Sequence, residues 1–166
     1  MSKQPFIFSE YTLNTSQLRQ ITYAETVIIA QTLVKMEPWY SLNYKRDNLS
    51  NYLHHADPLL YRYGIVINQQ IVGIVCVRYP WLQDAYLELL AIYPICQGRG
   101  IGHEVLQWIE AELLKAHCYH LWLLVSSFNY QAQRFYQKLG FVEMGQLEDF
   151  VVVGYDEILL RKVLIN

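Results

Sequence analysis

"YPICQGRGIGHEVL", residues 93–106, sets glycines at 98, 100 and 102, directly before and inside a helical pattern. Ile101, Val105 and Ile109 recur four apart, which is one face of a helix. Each glycine costs a helix about 1 kcal/mol relative to alanine, so three at one helix start call for a use that offsets them. An anion cradle is such a use. The first amides of a helix have no internal partner, and the helix dipole adds partial positive charge there. Without a Cβ in the way, the backbone can approach a phosphate closely. The stretch therefore reads as a pyrophosphate site made of main-chain N–H groups. It does not fit G-x-x-x-x-G-K-[ST], because no Lys-Ser or Lys-Thr follows, nor G-x-G-x-x-G, because position 103 is His103.

Composition narrows what such a site belongs to. The chain has 166 residues, 53% of them apolar, so a packed interior is expected and the whole of 1–166 reads as a single domain. The net charge of −2 gives no basic field for nucleic acid or anionic lipid. No stretch approaches the ~20 apolar residues that span a bilayer. The start, "MSKQPFIFSEYTL", lacks the pattern of a secretory signal. Cys76, Cys96 and Cys118 are odd in number, widely spaced and without a C-x-x-C pair, and the five histidines show no metal spacing. The expectations are a cytoplasmic protein with no metal, no nucleic-acid partner and no membrane partner.

Around the glycines the chain alternates strand and helix signals. "FIFSEYTL" (6–13) predicts a first strand. "AETVIIAQTLVKM" (24–36) predicts a helix with Val27, Ala30, Gln31 and Val34 along one side and Pro38 beyond its end. "KRDNLSNYLHHA" predicts a polar helix that buries Leu49 and Leu53. "LLYRYGIVI" and "QIVGIVCVRYP", joined by Asn68-Gln69, carry a hairpin signal. In "AYLELLAIYP" (85–94), alternation puts Tyr86, Glu88, Leu90 and Ile92 on one face. A helix over 100–117 follows, then the strand "YHLWLLVSS". In "NYQAQRFYQKLGF" (129–141), Ala132, Phe135, Tyr136 and Leu139 share a helix face and Gly140 is a C-cap. A closing strand pair ends with "DEILLRKVLI". The order β-α-α-β-β-β-α-β-α-β-β is an α/β fold with a mixed sheet and helices on both faces.

Two motifs together suggest a family. Gln97, Gly98, Arg99, Gly100, Ile101 and Gly102 fit Q-x-x-G-x-G, which resembles the acetyl-CoA signature [QR]-x-x-G-x-[GA] of the GNAT superfamily of N-acetyltransferases. About thirty residues on, Asn129, Ala132, Phe135, Tyr136, Gly140 and Phe141 fit N-x-x-A-x-x-F-Y-x-x-x-G-F, similar to that superfamily's later motif. "YLELLAIYP" resembles a third feature, a strand that carries an acidic residue. The likeness covers roughly 58–165; the first fifty residues match only by helix count. It implies a mostly antiparallel GNAT-like sheet and acetyl-CoA as cosubstrate. It also implies that the strand of Glu88 parts from its parallel neighbour to admit the pantetheine arm. Main-chain groups of Leu90, Ala91 and Ile92 would hold that arm, one N–H serving as oxyanion donor. Asn129 would bind a pantetheine amide, cap its helix, or do both. Arg99, Arg134 and Lys138 would touch phosphates or simply be solvated. Many members pair into homodimers.

Acetyl transfer to an amine needs a neutral nitrogen. An ammonium with a reference pKa of about 10.4 costs on the order of 4–5 kcal/mol to deprotonate at neutral pH, so a base helps, directly or through a water. Glu88 is the candidate, on a strand among apolar neighbours; the alternative is a structural glutamate paired to a neighbour. Tyr136 is the candidate acid, donating to the departing sulfur, as the family's tyrosine at this place does; the alternative is packing. For the acceptor, a small-molecule or peptide amine, Trp39, Tyr40 and Tyr44 could wall a pocket, with Asp149 and Asp156 supplying charge; the alternative is that Trp39 staples helix to sheet and the acids are solvated, which is the favoured reading for the acids. Rival readings are a CoA-binding sensor without turnover, an enzyme using another acyl-CoA, and an unrelated phosphate-binding α/β protein.

Overall fold

The computed structural model describes residues 4–165. Eight strands form one sheet: β1 (Glu10–Thr12), β2 (Gln17–Arg19), β3 (Leu60–Ile67), β4 (Gln70–Trp81), β5 (Asp84–Ile92), β6 (His120–Ser126), β7 (Val142–Val152) and β8 (Tyr155–Val163). The helices are α1 (Tyr23–Leu33), α2 (Arg46–His54), α3 (Ile101–Lys115) and α4 (Tyr130–Lys138). The sheet runs β1-β2-β3-β4-β5-β6-β8-β7, and every neighbouring pair is antiparallel except β5 with β6. This is the mixed sheet that the sequence order implies. The β3–β4 hairpin turns at Asn68 and Gln69, both at positive φ, which matches the right-handed twist of the strands it joins.

The two sheet faces carry separate cores. On one, α3 packs Val105, Leu106, Ile109 and Leu113 over Val75, Val77, Leu121 and Leu123. On the other, Ile29 and Leu33 of α1 and Leu49 and Leu53 of α2 cover Ile74, Cys76, Leu89 and Ala91. Burial on both faces explains why the central strands read as nearly continuous apolar runs.

Three expectations are corrected. The first strand is not continuous over 6–13: Phe6 is buried at positive φ, with its N–H donating to Glu112 Oε2 at 3.1 Å, and two three-residue strands follow. The buried residues of α1 are Thr26, Ile29, Ala30 and Leu33; of the expected side, Val27, Ala30, Gln31 and Val34, only Ala30 is among them. Its apolar residues do not form a unique stripe, and α2 chooses the face by setting Ser50 Oγ 3.2 Å from Thr26 Oγ1. Finally, Glu88 does not share a face with Leu90 and Ile92. Cys76 pairs with Leu89 and Val77 with Leu87, so Glu88 is the extra residue of a β-bulge. Past it the alternation flips: Leu87, Leu90 and Ile92 face the α3 core, whereas Leu89 and Ala91 face α1 and α2.

Candidate functional site

The parallel pairing of β5 with β6 joins only Ala85–Leu87 to Leu121–Leu123. Beyond Leu87 the strands part, although β5 continues to Ile92 and β6 to Ser126. The main chain of Leu90, Ala91 and Ile92 thus has no strand partner on its β6 side. A groove of about 710 Å3 opens there, lined by Leu90, Ala91 and Ile92 and by the turn into α3.

Gly98 and Gly100 in that turn have φ of +74° and +79°, a region L side chains rarely occupy. Gly100 is the N-cap of α3, and no side chain caps the helix. An added Cβ at Gly98 or Gly100 would meet nothing within 4 Å, so the space above them is open. At Gly102 a Cβ would stand 3.1 Å from Phe135 Cζ: this glycine lets α4 approach α3. Gln97 fixes the turn to the end of β5, its Nε2 donating to the Ile92 carbonyl at 2.9 Å. Uncapped amides, two left-handed glycines and open space beside a parted strand fit a diphosphate with an extended arm, the shape of coenzyme A.

The groove wall brings together Gln97, Gly98, Gly100, Ile101, Gly102, Asn129, Ala132, Phe135 and Tyr136. It does not include Arg99, whose guanidinium donates to the Ile95 carbonyl at 3.2 Å, nor Arg134 or Lys138. Asn129 caps α4, its Oδ1 accepting from the Ala132 N–H at 3.2 Å. Gln133 ties α4 to the end of β6 through bonds from Nε2 to the carbonyls of Ser126 and Ser127.

A second cavity of about 580 Å3 lies beyond the first. Pro38, Trp39, Leu90, Asn129, Ala132 and Tyr136 line both, so the two meet at Tyr136. Tyr136 is 8% exposed, and burial alone pushes its phenol pKa well above the usual range, so it stays protonated. The second cavity is walled by Tyr44, Tyr52, Trp81, Tyr86 and Phe150 besides Trp39, and Trp81 stacks on Tyr86 with ring centroids 4.9 Å apart. Tyr40, one of the aromatics weighed for such a wall, is 68% exposed and outside it.

Two carboxylates stand in this second cavity, Glu88 and Glu157, and among the described residues no Lys, Arg or His lines it. Both act on the phenols of Tyr44 and Tyr86, whose pKa values rise chiefly through burial and further through these two charges. The bulge turns Glu88 toward Arg78, whose Nε and Nη2 donate to its two oxygens at 2.7 and 3.3 Å. Arg78 also donates from Nη1 to Asp57 at 2.9 Å. This geometry matches the reading of Glu88 as a glutamate paired to a neighbour. Glu157 is 5% exposed and has no cationic partner among the described residues; Ser126 Oγ donates to its Oε1 at 2.7 Å. Burial raises its pKa, offset in part by that hydrogen bond.

Asp149 and Asp156, weighed as charge for the acceptor pocket against the favoured reading of solvated acids, line neither cavity. Asp156 accepts from Gln146 Nε2 and the Asp149 N–H, and Asp149 from the Gly154 N–H, so both hold the β7–β8 hairpin. The sequence reading weighed Asp156 and did not name its neighbour Glu157. Adjacent strand residues face opposite ways, and only the register, Glu157 opposite Ser126, tells which acid faces the cavity. Among the described residues no cluster of His, Cys, Asp and Glu could hold a metal ion, and no helix is long and apolar enough to cross a membrane.

Fold and groove define an α/β domain whose sheet parts beside a glycine-rich helix start. The family model for the acetyltransferase (GNAT) family matches residues 21–141, and the chain belongs to that family. An uncharacterized N-acetyltransferase of Methanocaldococcus jannaschii is 30% identical over 101 residues, 60% of this chain and 64% of its own length. The chain thus spans less than two thirds of the length of the curated relatives it matches. An acetyltransferase structure from Thermus thermophilus superposes with a TM-score of 0.73 at 22% identity, covering 93% of this chain and 100% of that one. A GNAT family acetyltransferase from Elizabethkingia anophelis, with acetyl-CoA bound, gives 0.69 at 18% identity, covering 91% and 99%. At these identities the structures share the fold.

Proposed function

We propose that the chain is an N-acetyltransferase that moves an acetyl group from acetyl-CoA to a primary amine arriving as a cation. The observation that carries this reading is the meeting of two cavities at Tyr136. One holds the open main-chain amides and groove that a coenzyme needs; the other bears two carboxylates, aromatic walls and, among the described residues, no basic side chain. An ammonium gains from carboxylates and from aromatic faces alike; an anionic acceptor would meet only repulsion. Acetyl-CoA supplies the activated acyl group. The amides of Gly98 to Gly102 hold the diphosphate, with Phe135 and Ala132 packed alongside. Main-chain groups of Leu90, Ala91 and Ile92 and the side chain of Asn129 hold the arm, and one N–H faces the carbonyl oxygen as charge develops there. Tyr136, kept protonated by burial, donates to the departing sulfur. The base is one of the two carboxylates, Glu88 or Glu157, acting directly or through a water.

Thiol release from acetyl-CoA with a panel of primary amines tests this. Cationic amines should be acetylated, and Tyr136→Phe should lower kcat about 10²-fold while leaving coenzyme affinity unchanged. Coenzyme binding without acylation of any amine would contradict the proposal and favour a sensor.

A further inference from the structure

We infer that Glu157, not Glu88, takes the proton from the incoming amine, with Ser126 as its positioning residue. The inference rests on the acetyl-transfer reading above and selects between the two carboxylates it leaves open.

Two geometric facts separate them. Both oxygens of Glu88 accept from Arg78, which is also bound to Asp57, so its acceptor sites toward the guanidinium are occupied. Among the described residues Glu157 is engaged by one hydroxyl alone, at Oε1, which leaves Oε2 for a ligand. Both line the cavity that holds Tyr136, and Glu157 reaches it from the strand beside the end of β6, where β6 has already left β5. The titratable groups around it are Tyr44 from the loop after α1, Tyr52 from α2, Tyr86 and Glu88 from β5 with Arg78 of β4 behind them, and Tyr136 from α4. None of these can neutralise it, since Arg78 is spent on Glu88 and Asp57. A buried carboxylate with a single hydroxyl donor attracts an ammonium and then accepts its proton as the charge is quenched.

Each proton in this scheme has a source and a destination. The ammonium passes one proton to Glu157, which later returns it to solvent. The freed nitrogen forms the C–N bond with the acyl carbon and the C–S bond breaks, its electron pair leaving on sulfur. Tyr136 gives that sulfur its hydroxyl proton and regains one from the nitrogen, so the products are an amide, a thiol and one solvent proton.

Two measurements test the assignment. In the resting protein, 13C-carboxyl NMR should show a glutamate titrating above the ordinary glutamate range, absent from Glu157→Gln. In pH profiles of kcat/KM, Glu157→Gln should fall by 10²-fold or more and lose the acidic limb, with acetyl-CoA affinity and a cooperative thermal transition retained. Glu88→Gln should keep that limb. Ser126→Ala should move it to higher pH, because the hydroxyl favours the carboxylate. A Glu157 carboxyl titrating in the ordinary range overturns the assignment, whether or not any amine is turned over. So does a Glu157→Gln variant with near wild-type rate and an intact limb. Failure of the wild type to acetylate any amine, by contrast, would contradict the acetyl-transfer reading while the NMR titration still judges Glu157.

Discussion

Gly100 and Tyr136 mark the two ends of the proposed coenzyme path, and each is held by a different physical constraint. At Gly100 the backbone sits at φ +79° with free space where a Cβ would point. Alanine there would carry only the left-handed penalty, about 1–2 kcal/mol, and change coenzyme affinity little. Aspartate would add a negative charge at the cradle, so Gly100→Asp should weaken coenzyme A binding tenfold or more, read by calorimetry beside Gly100→Ala. Equal affinity for the two variants would remove the anion role from this turn. These glycines were legible in the sequence because backbone geometry restricts the residue type. Glu157 was not: Asp156 and Glu157 are chemically alike, and the pairing of β8 with Ser126 decides which faces the cavity.

At the scale of elements, the site depends on how strands end and helices begin. The bulge at Glu88 reverses β5, so that Leu90 and Ile92 turn to the α3 side while the carboxylate reaches Arg78. Alternation in "AYLELLAIYP" runs straight through the bulge, so the sequence carried no sign of it. The start of α1 is better marked. Thr22 Oγ1 accepts from the Glu25 N–H, Glu25 accepts from the Thr22 N–H, and both carboxylate oxygens accept from Arg19 at 2.7 and 3.0 Å. Arg19 first, then the Thr22 N–H, holds the Glu25 pKa down at about 2 against an ordinary 4.5. A carboxyl depressed in the fold contributes stability above its unfolded pKa and loses it as pH falls. Glu25→Gln should therefore cost about 1 kcal/mol near neutrality, and urea titrations should show the difference closing between pH 4.5 and 2. A constant difference across that range would mean that the ion pair contributes nothing.

The molecule as a whole is a sheet split at one seam. Between β5 and β6 the parting opens both a groove toward the α3 amides and a cavity toward α2, and the two meet at Tyr136. Helix count, and element order from α1 onward, were readable from periodicity, since both cores impose it. The sheet order, the seam and the joined cavities are long-range facts that no local period encodes; the paired motifs around Gly100 and Tyr136 pointed to them only through family likeness. The most direct test of the central claim is a crystal structure with acetyl-CoA bound. Diphosphate oxygens within about 3 Å of the Gly98–Gly102 amides, with the thioester beside Tyr136 where the cavities join, is the expected result. A coenzyme whose phosphates lie elsewhere, or whose thioester points away from Tyr136, would contradict it.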